Sequence, residues 1–165
     1  MKTNNKYSYY VETTALELED RPRKFLEAFS AVLEHSSYSL PLEVYTRLSA
    51  KCSRCAAACQ LYEATLDPQD IPCHRSELLL RIYRRYFTKT GTLTARFLGK
   101  GFTLSDEHLD QMAEAFYRCT ACRRCKLTCP MGIDHGLITH LARWLLAEIE
   151  VVPKALRVAV REQLE

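Results

Sequence analysis

The sequence has little of what marks fibrous, disordered or membrane-spanning chains. Its 165 residues include five glycines, six prolines and one tryptophan, which excludes collagen-like and low-complexity chains. It has no run of the roughly 18 apolar residues that a membrane-spanning helix needs. The first twenty residues are polar and rich in tyrosine, without the apolar stretch of a secretory signal. We therefore expect a globular protein in the cytoplasm.

The charge of the chain is nearly balanced, with 23 lysines and arginines against 20 acidic residues. A net charge of +3 is too small to indicate bulk binding of nucleic acid, which we do not expect as a partner. One segment, residues 74–101, holds seven basic residues and only one acidic residue, Glu77. It is either a solvated helix face or a docking surface for an acidic partner or for the cytoplasmic side of a membrane complex. The candidate docking residues are Arg81, Arg84 and Arg85.

The hydrophobic pattern predicts helices and shows no comparable strand alternation. After Pro22, apolar residues recur at helical spacing, as in Phe25, Phe29 and Val32. Ser76 is a candidate N-cap for a later helix, and residues 88–102 form a connector. The predicted fold is mainly α. Its predicted parts are an extended arm over residues 1–20, a helical domain over 21–150, and a C-terminal helix over 151–165 that leads to a partner or a further domain.

Eight cysteines, all between residues 52 and 129, are the exceptional feature of the composition. In a reducing cytoplasm they are expected to be metal ligands, not disulfide partners. The second group reads Cys119-x2-Cys122-x2-Cys125-x3-Cys129, followed by Pro130. This is the bacterial ferredoxin run, in which three thiolates bind one 4Fe-4S cluster and the fourth binds another. The spacing therefore predicts two 4Fe-4S clusters.

The first group, Cys52-x2-Cys55-x3-Cys59, has the spacing of the last three cysteines of that run. The first position of the run is Ser49, and Cys73 is the only cysteine outside both groups. Two cubane clusters need eight ligands, which suggests that Cys73 replaces the missing one. Crossed sets follow: Cys52, Cys55, Cys73 and Cys129 for the first cluster, and Cys119, Cys122, Cys125 and Cys59 for the second. Ligation by the Ser49 hydroxyl and two uncrossed sites remain alternatives.

Zinc is the alternative metal, in a helical adaptor domain without redox chemistry. Four-cysteine zinc sites usually pair two C-x2-C knuckles about 15 to 20 residues apart, whereas the knuckles here are 64 residues apart and each has further cysteines. Histidine replaces cysteine at some iron-sulfur sites. With eight thiolates available, however, neither His135 nor His140 is needed as a ligand.

The stretches 52–64 (CSRCAAACQLYEA) and 117–134 (YRCTACRRCKLTCPMGID) resemble the C-type iron-sulfur subunits of heterodisulfide reductases and related respiratory domains. The resemblance covers roughly residues 40 to 150. It implies a two-cluster α-helical ferredoxin module of anaerobic metabolism that relays single electrons. The implied partners are a flavoprotein or ferredoxin donor and a catalytic oxidoreductase, often one with CCG motifs. This chain would then be a non-catalytic subunit, or the N-terminal piece of a longer oxidoreductase.

Overall fold

The computed structural model describes residues 20–91 and 102–164, and these segments are helical without any β-strand. The mainly α fold is therefore confirmed. The predicted arm over 1–20, apart from Asp20, lies outside the described residues, as do residues 92–101 of the predicted connector. The helices that position the site are α1 (Arg21–His35), α2 (Ser39–Leu48), α3 (Gln60–Thr65), α4 (Pro72–Phe87), α5 (Asp106–Tyr117), α6 (Arg124–Thr128), α7 (His135–Glu148) and α8 (Lys154–Leu164), with 3-10 turns at Arg54–Ala58 and Pro68–Asp70.

Helix α1 begins where the sequence predicts. Asp20 is its N-cap and accepts a hydrogen bond from the Arg23 N–H, while Pro22 lies in the first turn, where a missing N–H costs nothing. Arg21 then joins α1 to α5, because its guanidinium contacts Asp106 at 2.7 Å and Asp110 at 3.0 Å. This link fixes the start of the helix that leads into the second cysteine motif.

The main core lies between the four longer helices, with α7 packed against α1, α4 and α5. Phe25 and Phe29 on α1 are fully buried. Burial of such side chains stabilises the fold by about 1.5 to 3 kcal/mol each. The other helices contribute further fully buried residues to the same core: Leu79, Leu80, Ile82, Leu109, Phe116, Ile138, Leu141 and Leu145. The core thus uses the apolar positions that the helical spacing predicts.

Helix α4 begins earlier than predicted. It starts at Pro72 instead of after Ser76, and Ser76 is a buried residue inside the helix. Proline suits the first helical position, since its fixed φ matches a helix and its N–H would be unpaired there. Ser105, in contrast, is the N-cap of α5 and accepts from the His108 N–H. The early start of α4 places Cys73 in a helical turn and not in an extended loop.

At the other end of the chain, α7 stops at Glu148 and α8 follows Pro153. Helix α8 lies within the segment 151–165 for which a C-terminal helix is predicted. Across residues 20–91 and 102–164, no helix combines the length and the apolar character that crossing a bilayer requires.

Candidate metal centre

The two cysteine motifs have the same local backbone, seventy positions apart. Ser53 has φ 60° and ψ 7°, and Arg123 has φ 61° and ψ 8°. The residues preceding Cys52 and Cys122, Lys51 and Ala121, also have positive φ, at 50° and 54°. Each non-glycine residue in this region costs about 1 kcal/mol. Such strain at matched positions indicates that both motifs are shaped for one kind of site.

The hydrogen bonds of the two motifs also match. The Ala56 N–H donates to the Ser53 carbonyl at 2.9 Å, and the Lys126 N–H donates to the Arg123 carbonyl at 3.0 Å. Each motif makes one short helical turn, Arg54–Ala58 or α6, and these two turns pack against each other. The same turn therefore occurs in both motifs, and the packing of the two turns brings the motifs together.

Cys55 and Cys73 form one pair of thiols. Their side chains are 3% and 5% exposed, and together with Ile71 and Cys125 they form a small buried cluster separate from the main core. A hydrogen bond from Cys55, with further donors on Ser53, lowers the pKa of Cys73. The same contact and burial raise the pKa of Cys55. Cys73 thus lies beside a first-motif cysteine although it is outside both motifs.

Four other thiols line one pocket: Cys59, Cys119, Cys122 and Cys125. This is the predicted ligand set of the second cluster. The Cys59 thiol, from the first motif, donates a weak hydrogen bond to the Asp70 carbonyl oxygen at 3.7 Å. The pocket therefore combines one thiol of the first motif with three of the second.

The pKa shifts of these thiols agree with their placement around one pocket. Burial is the main reason why the pKa of Cys125 is raised to about 11. The charges of the neighbouring thiolates of Cys119, Cys122 and Cys59 raise this pKa further, and the positive charge of Arg75 lowers it. The backbone N–H of Arg124 lowers the pKa of Cys122. Four thiolates crowded without metal would repel each other, whereas a bound cation centre would stabilise them as thiolates.

Two hydrogen-bond donors lie close to one of the pocket sulfurs, Cys119 Sγ. The Ala121 N–H lies 3.4 Å from Cys119 Sγ, and the Thr139 hydroxyl lies 3.9 Å from the same sulfur. Hydrogen bonds to thiolate sulfur are among the protein features that set iron-sulfur potentials. The donor set, four thiols with nearby N–H and O–H groups, thus fits an iron-sulfur cluster.

Two buried carboxylates form ion pairs on either side of the second motif. Asp70, which is 1% exposed, accepts from Thr65 at 2.7 Å and pairs with Arg118 at 3.0 Å, directly before Cys119. On the other side of the second motif, Asp134 pairs with Arg123 and lies 3.4 Å from Lys126. Burial alone would raise the pKa of Asp134, but hydrogen bonds from Arg123 and the Leu137 N–H lower it.

Sequence reasoning missed the supporting roles of Asp70, Arg118 and Asp134, together with that of the buried Arg75. Arg143 is another such residue, because its guanidinium donates to the carbonyls of Phe116 and Cys119 at the end of α5. Asp134 had a usable signal, since an aspartate three residues before the Leu137 N–H is a helix N-cap pattern. Arg75 and Arg143 had none, because their partners are backbone carbonyls from other elements.

Two predicted ligands of the first cluster, Cys52 and Cys129, belong neither to the buried pair of thiols nor to the pocket. Cys52 is exposed, and Cys129 ends α6 and packs against the main core; both complete the first set by sequence spacing only. Ser49, the alternative ligand, is the C-cap of α2, where its N–H donates to the Tyr45 carbonyl. Within the described residues, no three histidine, cysteine or acidic side chains are grouped so that they could hold a single metal ion.

The three candidate docking arginines differ in their surroundings. Arg84 pairs with Glu77, and Arg85 donates to the carbonyls of Phe102 and Gly91. Arg81 is exposed, with its guanidinium 3.8 Å from the centre of the Phe102 ring. Of the three, Arg81 presents the most accessible charge.

A helical domain with two cysteine motifs packed against each other, one lending a thiol to the pocket of the other, defines a ferredoxin-type iron-sulfur module. A family model described as a 4Fe-4S dicluster domain matches residues 50–133, about half of the chain. The chain belongs to this 4Fe-4S dicluster domain family, and its role is that of an electron-transfer iron-sulfur protein.

Two curated relatives agree with this family. The Hdr-like menaquinol oxidoreductase iron-sulfur subunit 2 of Archaeoglobus fulgidus is 34% identical over 137 residues, covering 82% of this chain and 24% of that protein. The Hdr-like menaquinol oxidoreductase iron-sulfur subunit of Archaeoglobus profundus is 32% identical over 124 residues, covering 75% of this chain and 22% of that protein. No solved structure matches the chain.

The chain spans about a quarter of the length of these curated relatives. Their names confirm the predicted resemblance to heterodisulfide reductase-like iron-sulfur subunits. The 4Fe-4S cofactor type is confirmed as well. The number of clusters, their ligands and the partners of the chain are matters of proposal.

Proposed function

We propose that this chain is a one-electron relay module with two 4Fe-4S clusters, bound by crossed ligand sets from its two cysteine motifs. Cys119, Cys122, Cys125 and Cys59 hold the second cluster, and Cys52, Cys55, Cys73 and Cys129 hold the first. The observation that carries this proposal is the single pocket that Cys59 shares with three thiols of the other motif. When bound, such clusters take up and release one electron each.

The protein around the sites supplies position and charge. Because Arg54–Ala58 packs against α6, the two clusters would lie side by side in one rigid unit, which suits electron transfer between them. Asp70 and Arg118 fix the entry to the second motif, and Asp134 fixes its exit through Arg123. The chain itself then needs no substrate pocket, and catalysis belongs to its partners.

The proposed partners are those of a multi-subunit redox complex. A flavoprotein or ferredoxin is the electron donor and an oxidoreductase subunit, of the CCG type or another, is the acceptor. The names of the two relatives as menaquinol oxidoreductase subunits support a complex of this kind. We place the module in the cytoplasm or at the cytoplasmic side of a membrane complex.

An anaerobic reductive titration tests the relay function. The purified chain should take up two electrons per chain in two one-electron steps, because each cluster accepts one. The measurement combines titration with dithionite and electron paramagnetic resonance of the reduced states. A chain that takes up one electron holds a single redox site, and a chain that takes up none is not a relay.

We further propose that Arg81, with Arg84 and Arg85 beside it and the N-terminal arm 1–20 as a second contact, docks an acidic electron-transfer partner. Arg81→Glu is the informative change, since Arg84 and Arg85 also serve internal contacts. Reduction of the chain by an acidic ferredoxin should become several-fold slower at low ionic strength, and the difference should shrink as salt screens the charges.

The matched control for this docking prediction is Arg47→Glu, an equal charge change at an exposed position on α2. Both variants should retain the iron content of the original chain. An equal effect of the two variants would show that only net charge matters, and an unchanged rate for Arg81→Glu would leave residues 74–101 as a solvated face.

A further inference from the structure

His135 has a polar atom that the described structure leaves unsatisfied. It is the first residue of α7 and is 3% exposed. Its Nδ1 lies 2.9 Å from the hydroxyl oxygen of Ser76, itself buried on α4. Its Nε2 is buried and has no hydrogen-bond partner within the described segments. Buried polar groups without partners are rare in folded proteins, so each one calls for an explanation.

The pocket that His135 lines suggests the chemistry of a partner for Nε2. The imidazole lines the same pocket as Cys59, Cys119, Cys122 and Cys125. Thiolate and sulfide sulfurs accept hydrogen bonds and do not donate them. A ring nitrogen that faces them is therefore satisfied only when it carries a proton.

Ser76 is the hydrogen-bond partner of the other ring nitrogen, Nδ1. When Nε2 of a neutral imidazole carries the proton, Nδ1 is an acceptor, and the Ser76 hydroxyl can donate to it. The Ser76 hydroxyl can also accept from Nδ1, so this hydrogen bond allows the tautomer that presents Nε2–H to the pocket, and the acceptor sulfurs favour it.

The buried positive charge of Arg75 indicates that the pocket suits an anionic group. It is 2% exposed, lines the same pocket, and donates to the Asp70 carbonyl at 3.3 Å. A buried cation needs an anion nearby to offset its lost hydration. An iron-sulfur cluster held by four thiolates is anionic and would supply that charge. Arg75 and His135 therefore both point to an anionic acceptor in the pocket.

We propose that His135 donates a hydrogen bond from Nε2–H to a sulfur of the second cluster, and that this bond raises the reduction potential of that cluster. The inference rests on the proposed ligand set of the second cluster. The reduced cluster is more negative than the oxidised one, so it accepts a stronger hydrogen bond and is stabilised more. His135 is thus a positioning and tuning residue and not a ligand.

The test compares His135→Leu, which removes the donor, with His135→Gln, which retains an N–H donor. In His135→Leu the equilibrium constant for reducing the second cluster should fall about tenfold, a shift of about 59 mV to lower potential. The step of the second cluster is identified as the one that disappears in Cys59→Ser. A proton coupling that exchanges in D2O, seen by electron nuclear double resonance, should be lost in His135→Leu and present in His135→Gln.

The control is His140→Leu, which removes an exposed histidine from the same helix and should leave the potential unchanged. An unshifted potential in a fully loaded His135→Leu variant would overturn the inference. So would loss of iron in both His135 variants, because the residue would then be a ligand or a structural element. A wild-type chain without the second reduction step would instead refute the proposed function, which keeps the two failures distinct.

Discussion

Cys59→Ser should remove the second cluster although Cys59 belongs to the first motif. The expected loss is about four irons per chain, the content of one cubane cluster. The physical reason is that Cys59 shares a pocket with Cys119, Cys122 and Cys125 and not with the other first-motif thiols. Iron analysis of the anaerobically purified variant, with electron paramagnetic resonance of the reduced protein, measures the loss.

Double variants separate crossed from uncrossed ligation. With crossed sets, Cys59→Ser combined with Cys122→Ser damages one cluster twice and leaves about four irons. Cys59→Ser combined with Cys55→Ser damages both clusters and leaves almost none. Uncrossed sites predict the reverse order of iron contents for these two proteins. The single variant Cys129→Ser should then injure the same cluster as Cys55→Ser.

Cys73→Ser should injure the first cluster and spare the second. Cys73 contacts Cys55 in a buried thiol cluster, so its removal leaves the first cluster with three thiolates. We expect a loss of up to about four irons, or conversion to a three-iron form with its own paramagnetic signal. The spectrum of the second cluster should persist, because its four proposed ligands, including Cys125 beside Cys73, are all retained.

Ser49→Ala is the matched control for Cys73→Ser, since Ser49 occupies the position of the missing first cysteine. The alanine variant should keep its full iron content and its spectra. If Ser49→Ala loses iron while Cys73→Ser does not, the serine hydroxyl is the ligand and Cys73 is only a buried thiol.

The helices and the cysteine groups were predictable because their signals are local. Apolar residues at helical spacing predicted α1, and the spacing of Cys119 to Cys129 predicted the kind of cofactor. Crossed ligation by Cys59 stays a prediction, made because the ferredoxin run assigns its fourth cysteine to a neighbouring cluster, and the shared pocket supports it. These conclusions depend on residues close together in the chain or on ligand number.

The start of α4 was mispredicted because two capping signals compete there. Serine is a strong N-cap residue, but proline at the first helical position is equally compatible with a helix start. The structure uses Pro72, and Ser76 is instead buried beside His135. Sequence alone does not reveal this partnership, because the two residues are 59 positions apart.

The positions of the charged residues around the site could not be predicted from the sequence either. In the sequence, Arg75 is one of several basic residues in the segment 74–101. In the structure it is buried and lines the pocket of the second cluster's proposed ligands. Asp70 and Arg118 form their ion pair across the fold. Long-range pairs of this kind depend on how the helices pack, which a local pattern does not encode.

The most direct test of the two-cluster account is the iron and acid-labile sulfide content of the chain purified without oxygen. Two cubane clusters predict about eight irons and eight sulfides per chain, with no stoichiometric zinc. About four irons would mean that only one site exists, and zinc without sulfide would mean that the thiols hold single metal ions. Either result would contradict the account.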